Sequence, residues 1–527
     1  MKQPLESQTD VPDLDKFRLR VFAEQLLEAG EVEVIEEPID LIDVAKVLDG
    51  HSKAVLFQKV GPEQAELFGN VMGSRTRLAA AFGVQPAQLA NEMIQRMTNP
   101  KSTIEISSEN APVHDMILTG DSADFTKLPV HLQHEMDGGP YISAGIDFAM
   151  DPETGWVNVG SRRLMLMGRQ TAGLNLTAPS DLRHLYQKAV ANGERLPVSF
   201  TVGSHPTDFL AAAMRVAVDE LGLIGTLRGE PVAFVKGVTN GVPVPADAEI
   251  VLEGYFDERG YVNPEGPYGE TFGYYGLMKP NPVFHLTAIT MRKDALFQTA
   301  TISGFRIGNT DTAQIAGART EALVWDALKT AVREPLGVYS TASGAGVMNV
   351  RVSLRQRVAG EARNAISAIH GSLANVKNVY VVDDDINIFS DEQIDWAMAT
   401  RFQPDRDLIV LSGFRTLPHD PSLDGRNVGS KAGYDLTLPF GKREALELSV
   451  PKPPRPLPTN RRFRSVREAL KDGPKTFEAL VSGTGSVDGR DVLLALDQIR
   501  SKGELVRLKN GEWDLGNNNK IFLPVGN

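Results

Sequence analysis

The sequence predicts an α+β protein whose strand-rich centre, a barrel or a sandwich, lies between two segments that mix helices with strands. In the centre, from about residue 114 to 301, short β-favouring runs are separated by Gly, Pro and Asn, which is typical of barrels and sandwiches. From about 311 to 440, helices alternate with short apolar strands, and this alternation favours a partly parallel sheet. A proline-rich stretch then precedes a small helical unit.

These patterns divide the chain into five parts. The parts are an N-terminal α/β segment at 1–113, the strand-rich domain at 114–310, a C-terminal α/β domain at 311–450, a stiff linker at 451–460 and a terminal module at 461–527. Apolar spacing in the first part predicts a helix over 14–29 and then a strand over 31–35. Its remaining elements are helices at 42–48 and 62–71, with an apolar run at 54–57 between them.

The strand-rich domain contains six β-favouring runs and two helical inserts. The runs lie at 141–150, 156–167, 198–202, 232–236, 249–256 and 284–292, and the inserts at 182–192 and 208–220. The C-terminal domain continues the pattern with longer helices. Its clearest elements are a strand at 378–382 that runs into Asp383–Asp385, a helix at 391–400 and a strand at 408–411.

The terminal module has the pattern of three helices followed by a hairpin. The helices are predicted at 465–472, 476–482 and 489–503, and the hairpin strands at 505–508 and 512–515, around an Asn510-Gly511 turn. This order resembles a winged-helix module. Its 12 Lys/Arg and 9 Asp/Glu leave a charge of only +3, so a contact with protein is favoured over DNA binding.

Composition excludes several classes of site. The 527 residues carry a net charge of −12 and no cysteine, which excludes disulfides, thiolate zinc sites, Cys-ligated iron–sulfur clusters and cysteine nucleophiles. The negative charge makes nucleic acid an unlikely main partner. No apolar run is long enough to span a bilayer, and residues 1–10 lack the apolar stretch of a signal peptide. We therefore expect a cytoplasmic protein without a membrane partner.

The stretch from Asn263 to Glu270 presents two carboxylates, Glu265 and Glu270, five residues apart. Pro267 excludes a helix interior, because it lacks the N–H donor and clashes with the preceding turn. A fixed loop with two acids suits proton transfer when a cation and an apolar wall lie nearby. A solvated acidic turn accounts for the same residues equally well.

A strand at 156–167 directs alternate residues to opposite sides. One side receives Asn158, Gly160 and Arg162, and the other receives Val159, Ser161 and Arg163. An arginine that points into a barrel calls for a carboxylate or a phosphate as its partner. A surface strand with a salt bridge is the alternative interpretation.

Three further stretches are candidates for a site. The double glycine within 134–141 allows either close approach to a ligand or a plain hairpin loop. Ser180 and Asp181 precede a helix, where they act as an N-cap or face an ion. Asp219 and Glu220 are predicted to end a helix, where carboxylates are electrostatically unfavoured. A metal would supply the missing charge, and a solvated helix end is the alternative.

Several of these motifs, taken in order, resemble the UbiD family over roughly residues 13–450. The motifs are Glu-x-Asp-Gly-Gly at 135–139, Asn158 with Arg163 five residues on, Glu-Ile-Val-Leu-Glu-Gly at 249–254, Pro-Glu-Gly-Pro-Tyr-Gly-Glu at 264–270, and Asp-Asp-Asp-Ile-Asn-Ile-Phe at 383–389. The family consists of reversible decarboxylases that use prenylated FMN. The resemblance implies a split β-barrel that binds the flavin and a C-terminal α/β domain that drives oligomerisation.

The resemblance also assigns roles to individual residues. Arg163, Glu265 and Glu270 match the catalytic triad. Cofactor-binding positions match Asn158, Gly160, Ser161, Arg162, Arg163, Ser180, Asp181, Met214 and Glu220. The metal, usually Mn²⁺ with K⁺ or Na⁺ nearby, is implied at Asn158, Asp181 and Glu220. The family has a histidine where this chain has Ser180 or Asp181, so the identity or affinity of the metal is open at this point.

The resemblance therefore implies a carboxy-lyase. We expect reversible, non-oxidative decarboxylation of an aromatic, heteroaromatic or α,β-unsaturated carboxylic acid, with a flavin prenyltransferase as cofactor supplier and assembly as a dimer or hexamer. In this mechanism Arg163 holds the substrate carboxylate and Glu270 protonates carbon after CO₂ leaves. The alternatives are a carboxylase or carboxylase subunit, and a non-catalytic flavin- or DNA-binding regulator that uses the terminal module. Substrate contacts are expected from 302–315, including Phe305 and Arg306, and from His419 or Lys431.

Overall fold

The structure is a computed structural model that describes residues 12–214, 219–423, 425, 428–443, 445–454 and 461–516. Residues 215–218 of the predicted helical insert and 455–460 of the predicted linker lie outside this set. The chain forms two compact units, Met1–Thr437 and Leu438–Asn527. In the part of the chain that the structure describes, no helix is long and apolar enough to cross a membrane.

The N-terminal segment alternates helices with short strands. Its elements are α1 (Leu19–Glu28), β1 (Val32–Ile35), α2 (Leu41–Leu48), β2 (Ala54–Val60), β3 (Ala65–Gly69), α3 (Arg75–Ala81), α4 (Leu89–Met97) and β4 (Thr103–Glu105). β1 and β2 are parallel, whereas β2 and β3 are antiparallel. The apolar face of α1 buries Leu19, Phe22 and Leu26, as its helical spacing predicts.

The prediction of a helix at 62–71 is wrong. This stretch forms β3, because Val55, Leu56 and Phe57 of β2 pair with residues 67–69. Positive φ angles at Gly61 and Gln64 turn the chain back between the two strands. A short apolar run has no decisive period of its own, so strand pairing determined its structure.

The central domain is built mainly from strands. Its elements are β5 (Met116–Thr119), β6 (Tyr141–Met150), β7 (Val157–Leu166), β8 (Thr171–Leu174), α5 (Asp181–Asn192), β9 (Leu196–Val202), α6 (Pro206–Ala213), α7 (Glu220–Arg228), β10 (Val232–Lys236), β11 (Pro243–Pro245), β12 (Ile250–Phe256), β13 (Asn263–Glu265), β14 (Tyr268–Gly269), β15 (Tyr275–Gly276), β16 (Lys279–Asn281), β17 (Val283–Met291) and β18 (Phe297–Thr299). β18 returns to the N-terminal sheet and pairs parallel with β3.

Six of these strands close into a barrel. Their order is β12-β9-β6-β7-β8-β17, and pairing between β12 and β17 completes the ring. The predicted strand-rich centre is therefore a barrel and not a sandwich. Inside it, the rings of Phe200, Phe256 and Phe284 meet edge to face with centroids 5.0, 6.0 and 6.5 Å apart. This aromatic cluster fills one part of the interior without polar atoms.

The prediction that Asp219 and Glu220 end a helix is wrong. α6 stops at Ala213, and Asp219 is the N-cap of α7, where its carboxylate accepts a hydrogen bond from the N–H of Gly222 at 3.3 Å. Glu220 is the first residue of α7. Carboxylates at a helix N-terminus are electrostatically favoured. The position at a helix end alone therefore gives no reason to expect a metal.

The C-terminal domain of the first unit combines a mixed sheet with packed helices. Its elements are α8 (Asp311–Ala331), β19 (Pro335–Ser340), β20 (Asn349–Leu354), α9 (Glu361–Gly371), β21 (Asn378–Val382), α10 (Asp391–Arg401), α11 (Pro404–Asp407), β22 (Leu408–Arg415) and β23 (Val428–Asp435). The sheet order is β19-β20-β21-β23-β22, with parallel pairs in the middle and antiparallel pairs at both edges. The predicted partly parallel sheet is confirmed.

A buried ion pair connects this domain to the N-terminal segment. Arg75, at the start of α3, donates two hydrogen bonds of 2.7 and 2.8 Å to the carboxylate of Glu321 on α8. The Glu321 side chain is fully buried, and the guanidinium of Arg75 lies over the ring of Tyr339 at 5.6 Å. A bidentate, desolvated contact of this kind fixes the relative orientation of α3 and α8.

The second unit contains the predicted three helices and hairpin. Its elements are α12 (Val466–Lys471), α13 (Phe477–Thr484), α14 (Arg490–Ser501), β24 (Leu505–Arg507) and β25 (Trp513–Leu515). Val466, Leu470, Leu480, Leu496 and Ile499 form a small core of their own. Gly511 takes a φ of 84° in the tight turn, as the Asn-Gly sequence predicts.

Candidate active site

Strand β7 carries the candidate site, because its alternate residues enter two different environments. Asn158 and Arg162 both face Asp147 on the neighbouring strand β6. Arg163 points to the other side, where it meets Glu265 and Glu270. The alternation expected from the sequence is confirmed. One strand therefore separates a cluster around Arg163 from a cluster around Asp147.

The Arg163 cluster consists of one guanidinium and two carboxylates. The Nε of Arg163 donates to Glu265 Oε1 at 3.0 Å, while Nη1 and Nη2 donate to the two oxygens of Glu270 at 3.1 and 3.0 Å. Glu265 belongs to β13, and Glu270 follows β14 directly. The arginine side chain is 15% exposed, that of Glu265 2% and that of Glu270 12%. The structure thus brings together the three residues that the sequence singled out for catalysis.

Two tyrosines form the apolar wall of this cluster. The guanidinium of Arg163 lies 4.3 Å from the ring centre of Tyr268 and 5.9 Å from that of Tyr141. The hydroxyl of Tyr141 donates to Glu265 Oε1 at 3.1 Å. Burial raises the pKa of Tyr141, and the charge of Glu265 raises it further. The phenol therefore stays protonated and remains a donor to that carboxylate.

The charge state of Arg163 follows from its partners. Burial lowers the pKa of Arg163, but the charges of Glu270 and Glu265 outweigh burial and raise it above its ordinary value. The guanidinium is therefore a permanent cation, and each of its three nitrogens donates one hydrogen bond to a glutamate. Two acids around one cation leave the cluster with an excess negative charge when both are ionised.

The loop that presents the acids is anchored by the double-glycine segment. Asp137 accepts a hydrogen bond from the N–H of Gly269 at 3.0 Å, and the N–H of Gly138 donates to the carbonyl of Pro267 at 2.9 Å. A Cβ at position 138 would overlap the carbonyl of Gly266. The glycine pair does permit a close approach, although the interpretation made from the sequence was an approach to a ligand. The approaching group is the backbone of the acid loop.

On the opposite side of β7, Asp147 is enclosed by its neighbours. The amide Nδ2 of Asn158 donates to Asp147 Oδ2 at 3.0 Å, and Arg162 Nε lies 3.9 Å from Oδ1. Gly160 faces the carboxylate directly in the β6–β7 register. Burial raises the pKa of Asp147 to about 6, although Arg162 opposes this shift.

Glu220 adds a second acid to this side. Its Oε2 accepts a hydrogen bond from the N–H of Val159 at 2.6 Å, which ties the start of α7 to β7. Burial raises the pKa of Glu220 to about 7, and the charges of Asp181 and Asp147 add to that shift. Glu220 therefore lies close enough to both Asp147 and Asp181 for their charges to act on it. Such a group of oxygen donors suits a hard cation.

The remaining predicted cofactor residues have varied positions. Ser180 is the N-cap of α5 and accepts from the N–H of Arg183 at 3.3 Å, which agrees with the capping interpretation. Asp181 is exposed in the first turn of α5, and Ser161 is exposed on β7. Met214 is buried at the end of α6. Asp181 is brought near Glu220.

Comparison with known proteins identifies the fold and its family. Sequence models of the 3-octaprenyl-4-hydroxybenzoate carboxy-lyase match in three parts: the N-terminal domain at 23–97, the Rift-related domain at 104–305 and the C-terminal domain at 313–436. Anhydromevalonate phosphate decarboxylase of Methanosarcina mazei is 30% identical over 433 residues, which are 82% of this chain and 98% of the relative. The chain belongs to the UbiD family.

Solved UbiD-class structures support this assignment. HmfF of Pelotomaculum thermopropionicum with FMN is 32% identical, has a TM-score of 0.77 and covers 82% of this chain and 97% of its own. An evolved dimeric form of HmfF with prenylated FMN has a TM-score of 0.74 and 31% identity, covering 83% and 97%. Apo 3,4-dihydroxybenzoic acid decarboxylase of Klebsiella pneumoniae has a TM-score of 0.76 and 26% sequence identity. The match covers 83% of this chain and 97% of that protein. The Klebsiella pneumoniae and Methanosarcina mazei proteins are decarboxylases, and this chain is a carboxy-lyase.

The cation implied by the UbiD family has donors of suitable chemistry here. Across residues 12–214 and the later described ranges, no three His, Cys, Asp or Glu side chains are arranged to hold a metal by themselves. Asn158 and Glu220 nevertheless offer oxygens beside the buried, incompletely paired carboxylate of Asp147. Hard divalent cations commonly combine a few protein oxygens with phosphate oxygens. The residues therefore fit a cation that a phosphate group also binds.

The expected substrate contacts are only partly brought to the triad. Phe305 is fully exposed, and Arg306 donates to the carbonyl of Gly50. Lys431 is buried elsewhere and donates to the carbonyl of His370 at 2.9 Å. His419 does lie near the site, because the charge of Glu270 acts on it. Desolvation lowers the pKa of His419, and the charge of Glu270 opposes this shift.

Several residues of the site were missed from the sequence. Tyr141 and Tyr268 flank the guanidinium, and Lys279 of β16 lies directly opposite Glu265 in the β13–β16 register. Tyrosine is common in strands, so nothing in the local pattern marks these two. Asp147 is different, because a lone carboxylate within the apolar strand 141–150 is unusual. That signal was available and pointed to the second cluster.

Proposed function

We propose that this protein catalyses reversible, non-oxidative decarboxylation of an aromatic, heteroaromatic or α,β-unsaturated carboxylic acid with prenylated FMN. The observation that carries the proposal is the convergence of Arg163, Glu265 and Glu270 within hydrogen-bond distance on one side of β7. When bound, the modified flavin supplies the carbon chemistry that allows CO₂ to leave. The protein residues bind, orient and protonate the substrate.

Arg163 is proposed to bind the substrate carboxylate. Each of its three nitrogens donates one hydrogen bond to a glutamate, so a substrate carboxylate gains a bidentate contact of the same kind by replacing one of them. Glu270 is the better candidate for release, since its side chain is 12% exposed and that of Glu265 only 2%. Exchange of the bidentate Glu270 contact for a bidentate substrate contact keeps the guanidinium paired.

Glu265 is proposed to hold Arg163 in place throughout. Its Oε1 accepts from both Arg163 Nε and the hydroxyl of Tyr141, and its Oε2 lies 3.5 Å from Asn281 Nδ2. A carboxylate with this many donors is oriented before the substrate arrives. The arginine therefore needs little reorganisation when Glu270 moves away.

Glu270 is proposed to protonate the substrate carbon after CO₂ leaves. Once released from Arg163, the partly exposed Glu270 carboxylate takes up a proton from water and then gives it to the carbon that CO₂ has left, within a wall formed by Tyr141 and Tyr268. Proton transfer from a positioned acid contributes about 10²- to 10⁴-fold to rate. The same residues run in reverse when Glu270 removes a proton and CO₂ is abundant, so a carboxylase role is the alternative direction.

The cofactor phosphate and a Mn²⁺ ion, with K⁺ or Na⁺ nearby, are proposed to bind on the Asp147 side of β7. Asn158, Asp181 and Glu220 would hold the metal, and Gly160, Arg162, Ser180 and Met214 would line the cofactor there. Ser161 would line it from the Arg163 side of β7. The support is the group of oxygen donors around Glu220 and the cation chemistry of such donors. A flavin prenyltransferase would supply the cofactor.

The test combines a spectrum with a substrate screen. The protein, coexpressed with a flavin prenyltransferase, is expected to contain prenylated FMN by absorption and mass spectrometry. Aryl, heteroaryl and α,β-unsaturated acids, including a phosphorylated one, are then assayed for CO₂ release. Release from one acid class identifies the substrate. Loaded protein that neither decarboxylates any of these acids nor exchanges labelled CO₂ would contradict the proposal.

For the second unit, we propose a winged-helix-like module that contacts another protein subunit. The support is the exposed face of α14, where Leu493 and Leu494 lie among the carboxylates of Asp491 and Asp497. These acids disfavour a DNA phosphate backbone. Gel shifts with duplex DNA across salt concentrations are expected to show no specific complex. Light scattering of the whole protein is expected to show a homo-oligomer.

A further inference from the structure

One carboxylate in the central barrel has an oxygen without a hydrogen-bond partner. Asp147 has no exposed surface, and its Oδ1 accepts no hydrogen bond. Its other oxygen accepts from Asn158 Nδ2 at 3.0 Å. A buried carboxylate is costly unless it is paired or coordinates a metal. The free oxygen therefore indicates a missing cationic partner.

Arg162 does not meet that need. Its Nε lies 3.9 Å from Asp147 Oδ1, which is beyond hydrogen-bond distance, and its Nη1 instead donates to the carbonyl of Ser161 at 2.9 Å. Among the residues that the structure describes, Arg162 is the single cation in an ion pair with Asp147. Glu220 and Asp181 add further negative charge nearby. This side of β7 is therefore short of positive charge.

Glycine at position 160 makes room for the carboxylate. It lies opposite Asp147 in the β6–β7 register, and a Cβ there would be 2.8 Å from Oδ1 and 3.2 Å from Oδ2. The contact of Asp147 Oδ2 with Asn158 Nδ2 also leaves the amide oxygen of Asn158 as the atom available to a cation. The strand pair thus holds two oxygen donors, Asp147 and Asn158, side by side.

From this arrangement we infer that Asp147 is an additional oxygen ligand of the divalent cation at the cofactor phosphate, together with Asn158 and Glu220. The inference rests on the proposed flavin-binding function but concerns a residue outside the set that the resemblance implies. It also accounts for the departure at Ser180 and Asp181, where the family has a histidine. An aspartate oxygen from β6 takes over the contribution of the absent imidazole, which favours a hard cation such as Mn²⁺ or Mg²⁺.

The inference is tested by Mn²⁺ binding in the presence of FMN, which needs no turnover. Electron paramagnetic resonance measures free Mn²⁺ during titration of the full-length protein, and thermal unfolding is followed with and without the metal. Asp147→Asn keeps the side-chain size and removes the charge. It is expected to weaken Mn²⁺ binding at least tenfold and to abolish most of the Mn²⁺-dependent rise in Tm.

A matched control removes another buried carboxylate of the barrel. Asp257 is paired with Arg259 and His285, at 2.5 and 2.7 Å, so Asp257→Asn is expected to leave Mn²⁺ affinity unchanged. A second variant, Gly160→Ala, displaces the Asp147 carboxylate without changing charge and keeps the test decisive if Asp147→Asn does not fold. Wild-type Mn²⁺ affinity in Asp147→Asn or in Gly160→Ala would overturn the inference. If the protein binds Mn²⁺ and FMN normally but contains no prenylated FMN after coexpression, only the proposed function is contradicted.

Discussion

The two sides of β7 differ in how their charges are satisfied. Around Arg163, each nitrogen of the guanidinium donates to a carboxylate, and both acids are held by these bonds. Around Asp147, one carboxylate oxygen has no hydrogen-bond partner and the acids outnumber the neighbouring arginine. The first arrangement is preorganised for a reaction, because its charges are positioned before a substrate arrives. The second is incomplete without a bound cation.

This difference teaches how to distinguish a reacting site from a holding site in one barrel. At a reacting site such as the Arg163 cluster, the substrate carboxylate replaces a protein carboxylate of the same charge. The protein can therefore satisfy all the charges of that site before the substrate binds. A holding site for a phosphate and a cation leaves its donors open, because the ligand completes the charge balance. The following predictions probe each side separately, beginning with the largest effect.

Glu270→Gln should have the largest effect on turnover. The amide keeps the size of the side chain but cannot donate the proton that the carbon requires. Decarboxylation is expected to fall by about 10³-fold or more, while the flavin spectrum stays that of the wild type. Steady-state CO₂ release and absorption spectra measure both. A turnover near that of the wild type would remove Glu270 from the role of proton donor.

Arg163→Lys should have the next largest effect on turnover. An ammonium acts as a point charge and cannot engage two carboxylates with a planar fork. The loss is expected to be about 2–4 kcal/mol in the transition state, or roughly two to three decades in kcat/KM. Binding of Mn²⁺ at the Asp147 cluster, on the other side of β7, should change little. Unaltered kinetics would show that the bidentate geometry of Arg163 is irrelevant to catalysis.

Low pH should reduce the stability of the folded protein through His131, which lies next to the catalytic side of β7. This buried residue precedes β6, and its carbonyl accepts the N–H of Tyr141 at 3.3 Å. Burial lowers the pKa of His131 from 6.5 to about 4. Between about pH 6.5 and 4, the imidazole is therefore protonated in the unfolded chain and neutral in the folded chain. The free energy of unfolding falls as the pH is lowered through this range, by up to about 3 kcal/mol.

His131→Asn tests this pH dependence. The variant has no ring to titrate, so its stability is expected to change less between pH 7 and 4 than that of the wild type. Denaturant unfolding at several pH values gives the comparison, and the difference between the two proteins isolates the histidine from other groups. Parallel curves for the two proteins would exclude His131 as a source of acid sensitivity.

Tyr141→Phe should have the smallest effect of the four. The substitution removes the 3.1 Å hydrogen bond to Glu265 and keeps the ring beside Arg163. A loss of about 1 kcal/mol, or roughly fivefold in kcat/KM, is expected. Tyr186→Phe is a matched control, since its hydroxyl donates to the backbone of Asp257 away from the triad. Equal losses in both variants would show that Tyr141 has no special role in holding Glu265.

Much of the barrel could be predicted because its strands have a strong local signal. The predicted runs at 141–150, 156–167 and 249–256 match the ring strands β6, β7 and β12 to within one residue at each end. The stretch at 62–71 could not, because a short apolar run takes its structure from the strand beside it. The helix boundary at Asp219 was also misplaced, since the capping signal of the second helix was interpreted as the end of the first.

The site shows the same division. Arg163, Glu265 and Glu270 belong to sequence motifs, so the resemblance named them before their distances were known. The contribution of Asp147 depends on its register with Gly160 across two strands. No local pattern encodes that pairing. Long-range register is the information that the sequence alone did not supply.

The two acids and the arginine do not share one piece of the barrel. Arg163 lies on a ring strand, whereas Glu265 and Glu270 lie between β12 and β17, on the excursion 257–282. Every ring strand is hydrogen-bonded on both sides, so changes within the ring disturb two neighbours at once. Laboratory evolution of new substrate ranges should therefore vary the non-acidic positions of the excursion 257–282 and leave the six ring strands unchanged.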